Sequence, residues 1–174
     1  MIQGVNLILV SALLLNFLVL GSSRLRACIR AVGMQGALLS ALPLLLHHGS
    51  PGLHTILLSA GMLALKGFLF PWLLVRTLRE ASMRTEIEPL IGFTASLLVG
   101  AIATGVAFVL SSRLPSLPAI ASPFLVPVAM ATLLMSLVVL VSRTKALTQV
   151  LGYLMLENGI FLFGLTLVQS MPLL

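Results

Sequence analysis

Charge is scarce in this chain of 174 residues: Asp, Glu, Lys and Arg together make up 8% of the sequence, and all four acids are glutamates. Hydrophobic residues make up 59%, and the mean hydropathy is +1.18. A soluble domain of this size could not cover such an apolar composition with so few charged side chains. The sequence therefore predicts an integral membrane protein.

Cysteine is nearly absent as well, since Cys28 is the single one. One cysteine excludes a disulfide within the chain and a cysteine metal cluster, so we interpret Cys28 as a small helix-packing residue. His47, His48 and His54 flank one turn, but their spacing matches no strong ligand pattern. The chain also lacks a nucleotide-binding loop, an iron ligand set and a nucleophile with a placed base. We therefore expect this chain by itself to have no catalytic residue, no metal and no cofactor.

Positive charge exceeds negative charge, which gives a formal net charge of +6. A nucleic-acid-binding protein would gather its basic residues on one face, whereas here they lie in short clusters between apolar runs. We interpret them as topology signals and expect the lipid bilayer, not nucleic acid, around this chain.

The apolar runs are long enough to count as membrane spans. A helix needs about 20 apolar residues to cross ~30 Å of hydrocarbon, and six segments meet this requirement. They are residues 2–21, 28–46, 54–75, 89–111, 122–141 and 147–169. The first run lacks a preceding basic stretch and a convincing cleavage site, so we expect it to be retained as a span. The prediction is a single all-α transmembrane domain over residues 1–174 in the cell inner (plasma) membrane.

The basic residues give the expected orientation. If the chain crosses the membrane at each segment, Arg113 falls on one side and eight basic residues fall on the other. The eight are Arg24, Arg26, Arg30, Arg76, Arg79, Arg84, Arg143 and Lys145. The positive-inside rule makes the side of the eight cytoplasmic and places both termini outside.

The chain contains a candidate internal repeat. A shift of 119 residues aligns residues 12–33, "ALLLNFLVLGSSRLRACIRAVG", with residues 131–152, "ATLLMSLVVLVSRTKALTQVLG", and nine positions are identical. The most specific matches are the basic turns, "SRLRA" against "SRTKA", and Gly33 against Gly152. The shift moves the first two spans onto the fifth and sixth, so both copies keep one orientation. The sequence thus predicts a parallel repeat of helices 1–2 and 5–6, in which each glycine permits close approach of a neighbouring helix.

Two ionisable residues lie deep inside predicted spans, Lys66 and Glu157. A charge at mid-membrane costs several kcal/mol, so such residues usually face a protein interior or a hydrated cavity. At 1.5 Å per residue, Lys66 lies about 15 Å from the boundary at Arg76, and Glu157 about 18 Å from the boundary at Lys145. Opposite charges at nearly one depth predict either a direct, structural ion pair or a proton relay through water.

Three polar neighbours complete the candidate proton path. Gln35 and Asn158 are able to hold water or to bond between helices, with helix packing as the alternative role. Tyr153 lies one turn before Glu157 on the same helix face, where it either bonds to the carboxylate or to water, or packs as an aromatic residue. An amide carries no charge, so the groups that would change protonation are Glu157 and Lys66.

One hairpin resembles a known pattern. Residues 142–164 read "SRTKALTQVLGYLMLENGIFLFG", a basic turn, a glycine and then a membrane-embedded glutamate and asparagine. This pattern resembles the central hairpin of subunit K of respiratory complex I and of the small C component of Mrp antiporters. The six-helix length, the "SRLRACIR" turn and the "LENGIFLFG" ending together look like the hydrogenase-4 component E family, membrane subunits of group 4 nickel–iron hydrogenases and related complexes. The resemblance implies antiporter-like and other membrane subunits as partners, and no cofactor in this subunit.

Residue by residue, the resemblance implies a subunit K-like unit over residues 1–80 and a partial second unit over residues 122–170. In subunit K a glutamate follows the glycine by two positions; Gln35 holds that place in the first copy and Leu154 in the second. Glu157 lies three residues further, about one helical turn, and Lys66 stands near the place of the second glutamate of subunit K. The chain therefore looks like one link in a proton path shared with its neighbours rather than a complete channel.

Three functional hypotheses follow. The first is a non-catalytic membrane-arm subunit of a proton- or ion-translocating oxidoreductase, with Glu157 and Lys66 in a central polar path. The second is a component of an Mrp-type cation/proton antiporter, which has the same helices and differs in its partners. The third is a structural spacer whose Lys66–Glu157 contact only locks helices together. A free-standing solute transporter is least favoured, because two charges in one small chain offer little of a binding cavity.

Overall fold

The computed structural model describes residues 2–46, 52–80, 91–114 and 122–170, and all regular secondary structure within them is helical. Six helices are long and apolar enough to cross a membrane, and we call them spans 1 to 6. They are Ile2–Gly21, Leu25–Leu46, Leu53–Glu80, Phe93–Arg113, Leu125–Ser142 and Ala146–Leu167, the last within a helix that continues to Ser170. The predicted six-helix, all-α architecture is confirmed, and it suits a multi-pass membrane protein. His47, His48 and Arg84 lie outside the described residues.

The observed bounds differ from the predicted ones most at span 3, which continues to Glu80 instead of ending at residue 75. Arg76 Nε lies 2.7 Å from Glu80 Oε1, so an ion pair between successive turns supports the helix beyond the apolar run. Span 4 begins later than predicted, at Phe93, because Gly92 before it has extended backbone angles.

Span 3 is not a regular α-helix. Its middle, Leu63–Leu69, is π-helical, and the backbone N–H of Phe70 bonds to the carbonyl of Leu65, five residues back. Pro71 follows directly; a proline has no N–H to donate, and its ring would clash with the carbonyl four residues earlier in an α-helix. A wider turn before the proline accommodates this, and Lys66 lies within that turn.

Spans 1, 2, 5 and 6 form the centre of the bundle, because 39–56% of the residues in their apolar windows are buried. Spans 3 and 4 lie at its edge, with 11% and 17% buried. These two helices therefore leave most of their apolar side chains exposed on the outside of the chain.

Spans 1 and 5 run in the same direction. Near their starts, Ser122 Oγ donates a hydrogen bond to Asn6 Oδ1 over 2.6 Å, and at their ends Arg143 Nη2 donates to the carbonyl of Leu20 over 2.8 Å. In a parallel repeat the first helices of the two copies must point the same way, and spans 1 and 5 do so. The two matched arginines nevertheless have different surroundings, since Arg24 is exposed and Arg143 is buried.

The two glycines that the repeat aligns both lie where a neighbouring helix approaches closely, as predicted. A Cβ on Gly33 would collide with the ring of Pro71 in span 3. A Cβ on Gly152 would lie 3.0 Å from Cγ of Leu140 in span 5. The neighbours differ between the copies, so each glycine serves its own helix contact.

Candidate functional site

The centre of the candidate site is a direct ion pair between spans 3 and 6. Lys66 Nζ lies 3.2 Å from Glu157 Oε1, and the ammonium also lies 5.4 Å from the centre of the Phe161 ring, within cation–π range. The Lys66 side chain is 10% exposed, whereas that of Glu157 is 41% exposed. The ammonium is thus inside the bundle and the carboxylate is at its surface.

Two local features bring Lys66 to this position. The first is the π-helical turn that contains it. The second is Gly36 in span 2, because a Cβ there would lie 2.7 Å from Cβ of Lys66. Only a residue without a side chain lets span 3 come this close, so Gly36 sets the distance between Lys66 and the interior of the bundle.

A chain of hydrogen bonds leads from Lys66 across the whole bundle. Lys66 Nζ donates to Asn158 Oδ1 over 3.1 Å, and Asn158 Nδ2 donates to Gln35 Oε1 over 3.2 Å. Gln35 Nε2 then donates to Asn16 Oδ1 over 2.8 Å, and Asn16 Nδ2 donates to Thr132 Oγ1 over 2.9 Å. We call these five residues together with Glu157 the polar chain. It joins spans 3, 6, 2, 1 and 5.

Burial makes the polar chain energetically important. Asn158, Gln35, Asn16 and Thr132 are each at most 2% exposed. A buried polar group without a partner costs about 1–3 kcal/mol, so each link of this chain removes such a penalty. Gln35 Nε2 has a second, longer contact of 3.4 Å with the carbonyl of Ala12, which uses the other amide proton.

The structure brings four of the five residues predicted for the proton path into one network, and it places the fifth beside it. Tyr153 is 61% exposed, on the same outer face of span 6 as Glu157, and forms no hydrogen bond with that carboxylate in the described part of the chain. Sequence reasoning missed Asn16 and Thr132. Asn16 interrupts an apolar run, and an amide inside a span needs a partner, so this was the signal that could have found it.

A small cavity adjoins the ion pair between spans 2, 3 and 6. Its volume is about 10 Å³, close to the space that one water molecule requires, and Lys66, Glu157 and Asn158 contribute its polar lining. A carboxylate, an ammonium and one water can exchange a proton, whereas the amides cannot. Within the described residues no group of three or more His, Cys, Asp or Glu could hold a metal ion.

Arg143 forms a second buried polar site, away from the ion pair. Interpreted from the sequence as a topology signal, it is 2% exposed, and its guanidinium donates to the carbonyl of Leu20 and lies 4.9 Å from the centre of the Phe93 ring. It therefore caps the end of span 1, where partial negative charge accumulates. Burial lowers the pKa of the Arg143 guanidinium. Cys28 nearby is buried, and its thiol faces the carbonyl of Val19 at 3.8 Å, in agreement with a packing role.

The sequence is clearly similar to that of a known protein. That protein is the uncharacterized protein Rv0085 of Mycobacterium tuberculosis, which is 35% identical over 162 residues, a match that covers 92% of this chain and 74% of the relative. The chain belongs to the Rv0085 family. The polar chain lies between Asn16 and Asn158, away from both ends of the sequence. A match that covers 92% of the chain therefore spans all of its positions. No protein-family model and no solved structure matches the sequence.

Proposed function

We propose that the chain is a non-catalytic membrane-arm subunit of a multisubunit proton- or ion-translocating oxidoreductase of the group 4 membrane-bound hydrogenase and complex I-like type, in the cell inner (plasma) membrane. The observation that carries the proposal is the Lys66–Glu157 pair, in which the Glu157 side chain is 41% exposed in the middle of an apolar helix. Hydrocarbon is a costly environment for such a group. The pair therefore suits a place where a neighbouring subunit and water cover Glu157.

The roles within the proposed path follow from the chemistry of each group. Glu157 takes up and releases the proton, since it is the member at the surface of the bundle, and Lys66 supplies the opposing charge. Asn158 bonds to Lys66 and Gln35 bonds to Asn158, both without changing protonation. Tyr153 is exposed one turn before Glu157 on the same helix. The resemblance to hydrogenase-4 component E makes antiporter-like membrane subunits the expected neighbours.

A structural spacer is the second candidate, and one observation favours it. The Lys66 ammonium has a carboxylate, an amide oxygen and an aromatic ring around it, which is what a lock between spans 3 and 6 requires. Burial of an ion pair is compatible with a purely structural role. An Mrp-type antiporter component would use the same pair and differ only in its partner subunits.

We further propose that both termini lie outside the cytoplasm and that the chain arose from a parallel repeat of its first and last hairpins. The common direction of spans 1 and 5 supports the parallel repeat. The clustering of basic residues at one end of the bundle supports the orientation. Fusing a reporter that is active only outside the cytoplasm to the C-terminus tests it, and an inactive but expressed fusion would contradict it.

The experiment for the function uses the complex purified with its native partners. Mass spectrometry identifies the partner subunits, and proton pumping is then measured for Glu157→Gln beside Glu80→Gln as the matched control. Glu80 is an exposed glutamate at the end of span 3, so its replacement should leave pumping unchanged.

Four outcomes separate the candidates. An assembled Glu157→Gln complex with strongly reduced pumping supports the relay, and failure of assembly supports the spacer. Partners that are all antiporter subunits, with no oxidoreductase module, favour the Mrp-type alternative. An assembled complex that pumps as well as the Glu80→Gln control excludes the proposed role of Glu157.

A further inference from the structure

The direction of the polar chain is dictated by Lys66. An ammonium only donates hydrogen bonds, so the atom of Asn158 that faces it must be the amide oxygen. The amide nitrogen of Asn158 then faces Gln35, which must present its own oxygen in return. The same rule fixes Asn16 and makes the hydroxyl of Thr132 the last acceptor. One positive charge therefore orients four buried side chains.

Support also runs the other way, from Thr132 towards Lys66. Thr132 Oγ1 gives Asn16 Nδ2 its buried partner, and Asn16 Oδ1 in turn holds Gln35 Nε2 over 2.8 Å. Gln35, held by its nitrogen, places its oxygen where Asn158 Nδ2 donates to it. If Asn16 or Thr132 loses its polar atoms, Gln35 is no longer fixed and Asn158 loses its support, so Asn158 holds the ammonium less firmly although its oxygen still faces Lys66.

We propose that Asn16 and Thr132 are positioning residues of the Lys66–Glu157 site. They touch neither member of the ion pair, and they hold in place Gln35 and, through it, Asn158, which gives Lys66 a second oxygen besides the carboxylate. The ammonium is thereby anchored from inside the bundle while Glu157 remains at the surface. This anchoring deepens the proposed function, and its meaning for proton transfer rests on that function.

The chain has so few lysines that the ammonium of Lys66 can be observed separately, which makes its anchoring measurable. The chain has two, Lys66 and Lys145, so nitrogen-15 labelling of the lysine ammonium groups of the full chain in lipid nanodiscs gives two signals, which a Lys145→Arg variant assigns. Proton exchange between the Lys66 ammonium and water is then compared in Asn16→Leu, Thr132→Val and Thr132→Ser. Valine has the shape of threonine without the hydroxyl, and serine keeps the hydroxyl.

We expect exchange at Lys66 to become about fivefold faster in Asn16→Leu, which corresponds to the loss of one ordinary hydrogen bond. Thr132→Val should show a smaller increase, and Thr132→Ser should restore the wild-type rate. A merely structural role would lower thermal stability in the two apolar variants and leave exchange at Lys66 unchanged, which would overturn the proposal. An equal effect of Thr132→Val and Thr132→Ser would overturn it too.

The Thr132 pair keeps the test decisive if Asn16→Leu fails to fold. This measurement on the purified chain is also independent of proton pumping. Faster exchange in Thr132→Val together with normal pumping by Glu157→Gln would support the positioning role and reject the proposed function.

Discussion

Replacing Gly36 by alanine tests whether the approach of spans 2 and 3 sets the position of Lys66. The added methyl group would lie 2.7 Å from Cβ of Lys66, an atom next to the backbone that cannot swing away. The helices must therefore separate by about 0.7 Å to reach the 3.4 Å at which ordinary contact begins. Overpacking of this kind costs about 1–3 kcal/mol. The same shift moves the backbone of Lys66 outward, so the 3.1 Å bond from Lys66 to Asn158 persists only if the lysine side chain or span 6 adjusts.

Gly61→Ala is the matched control, because Gly61 also lies in a helix and a Cβ there would meet nothing within 4 Å. Both variants gain the helix propensity of alanine, about 1 kcal/mol, so the difference between them isolates the packing cost. Unfolding in increasing detergent denaturant, followed by pulse alkylation of Cys28, measures this difference, since that thiol is buried and is the only one. Equal stability of the two variants would refute the argument from close approach.

The remaining predictions concern the charged side chains and the cysteine. Lys66→Met and Glu157→Gln should each lower the free energy of unfolding in the same denaturation assay. The loss in the double variant should be about 1 kcal/mol smaller than the sum of the two single losses. If the losses simply add, the two side chains are not coupled. Arg143→Met should lower the free energy of unfolding by about 2 kcal/mol, because the contacts with Leu20 and Phe93 are lost. The exposed Arg113→Met is the control and should lower it by less than about 0.5 kcal/mol. Similar losses in the two variants would contradict the capping role of Arg143. Alkylation of Cys28 should be at least ~100-fold slower in the folded protein than in the denatured one, and rapid labelling of folded protein would show that its helix contacts open readily.

The sequence predicted the number of membrane-spanning helices and the common depth of Lys66 and Glu157 because both depend on distance along a helix. An apolar run of sufficient length identifies a span, and a fixed rise per residue places Lys66 and Glu157 at one depth. The contact between them, 3.2 Å in the structure, needed in addition that their helices face each other. Depth alone left open whether the two charges meet directly.

Asn16, Thr132 and Arg143 were missed for a different physical reason. Spans 1 and 5 are apolar on all sides, so their sequences contain almost no signal for which face turns inward. Without that rotation, an amide or a hydroxyl cannot be paired with a partner on another helix. Arg143 matches Arg24 in the repeat, yet only Arg143 is buried, because neighbouring helices rather than the local sequence decide its exposure.

The π-helical turn at Leu63–Leu69 makes the site sensitive to helix length as well as to residue type. In a π-helical turn each backbone N–H bonds to the carbonyl five residues back instead of four. The turn therefore holds one residue more than an α-helical turn with little additional rise along the helix axis. Deleting one residue within this turn would return it to α-helical bonding and leave the two ends of span 3 close to their present directions. The effect would fall on the turn itself: Lys66 would change its direction relative to Asn158, and the ring of Pro71 would meet the carbonyl four residues earlier. A single-residue deletion, which substitution scans never sample, should therefore damage the ion-pair site while the rest of span 3 keeps its packing.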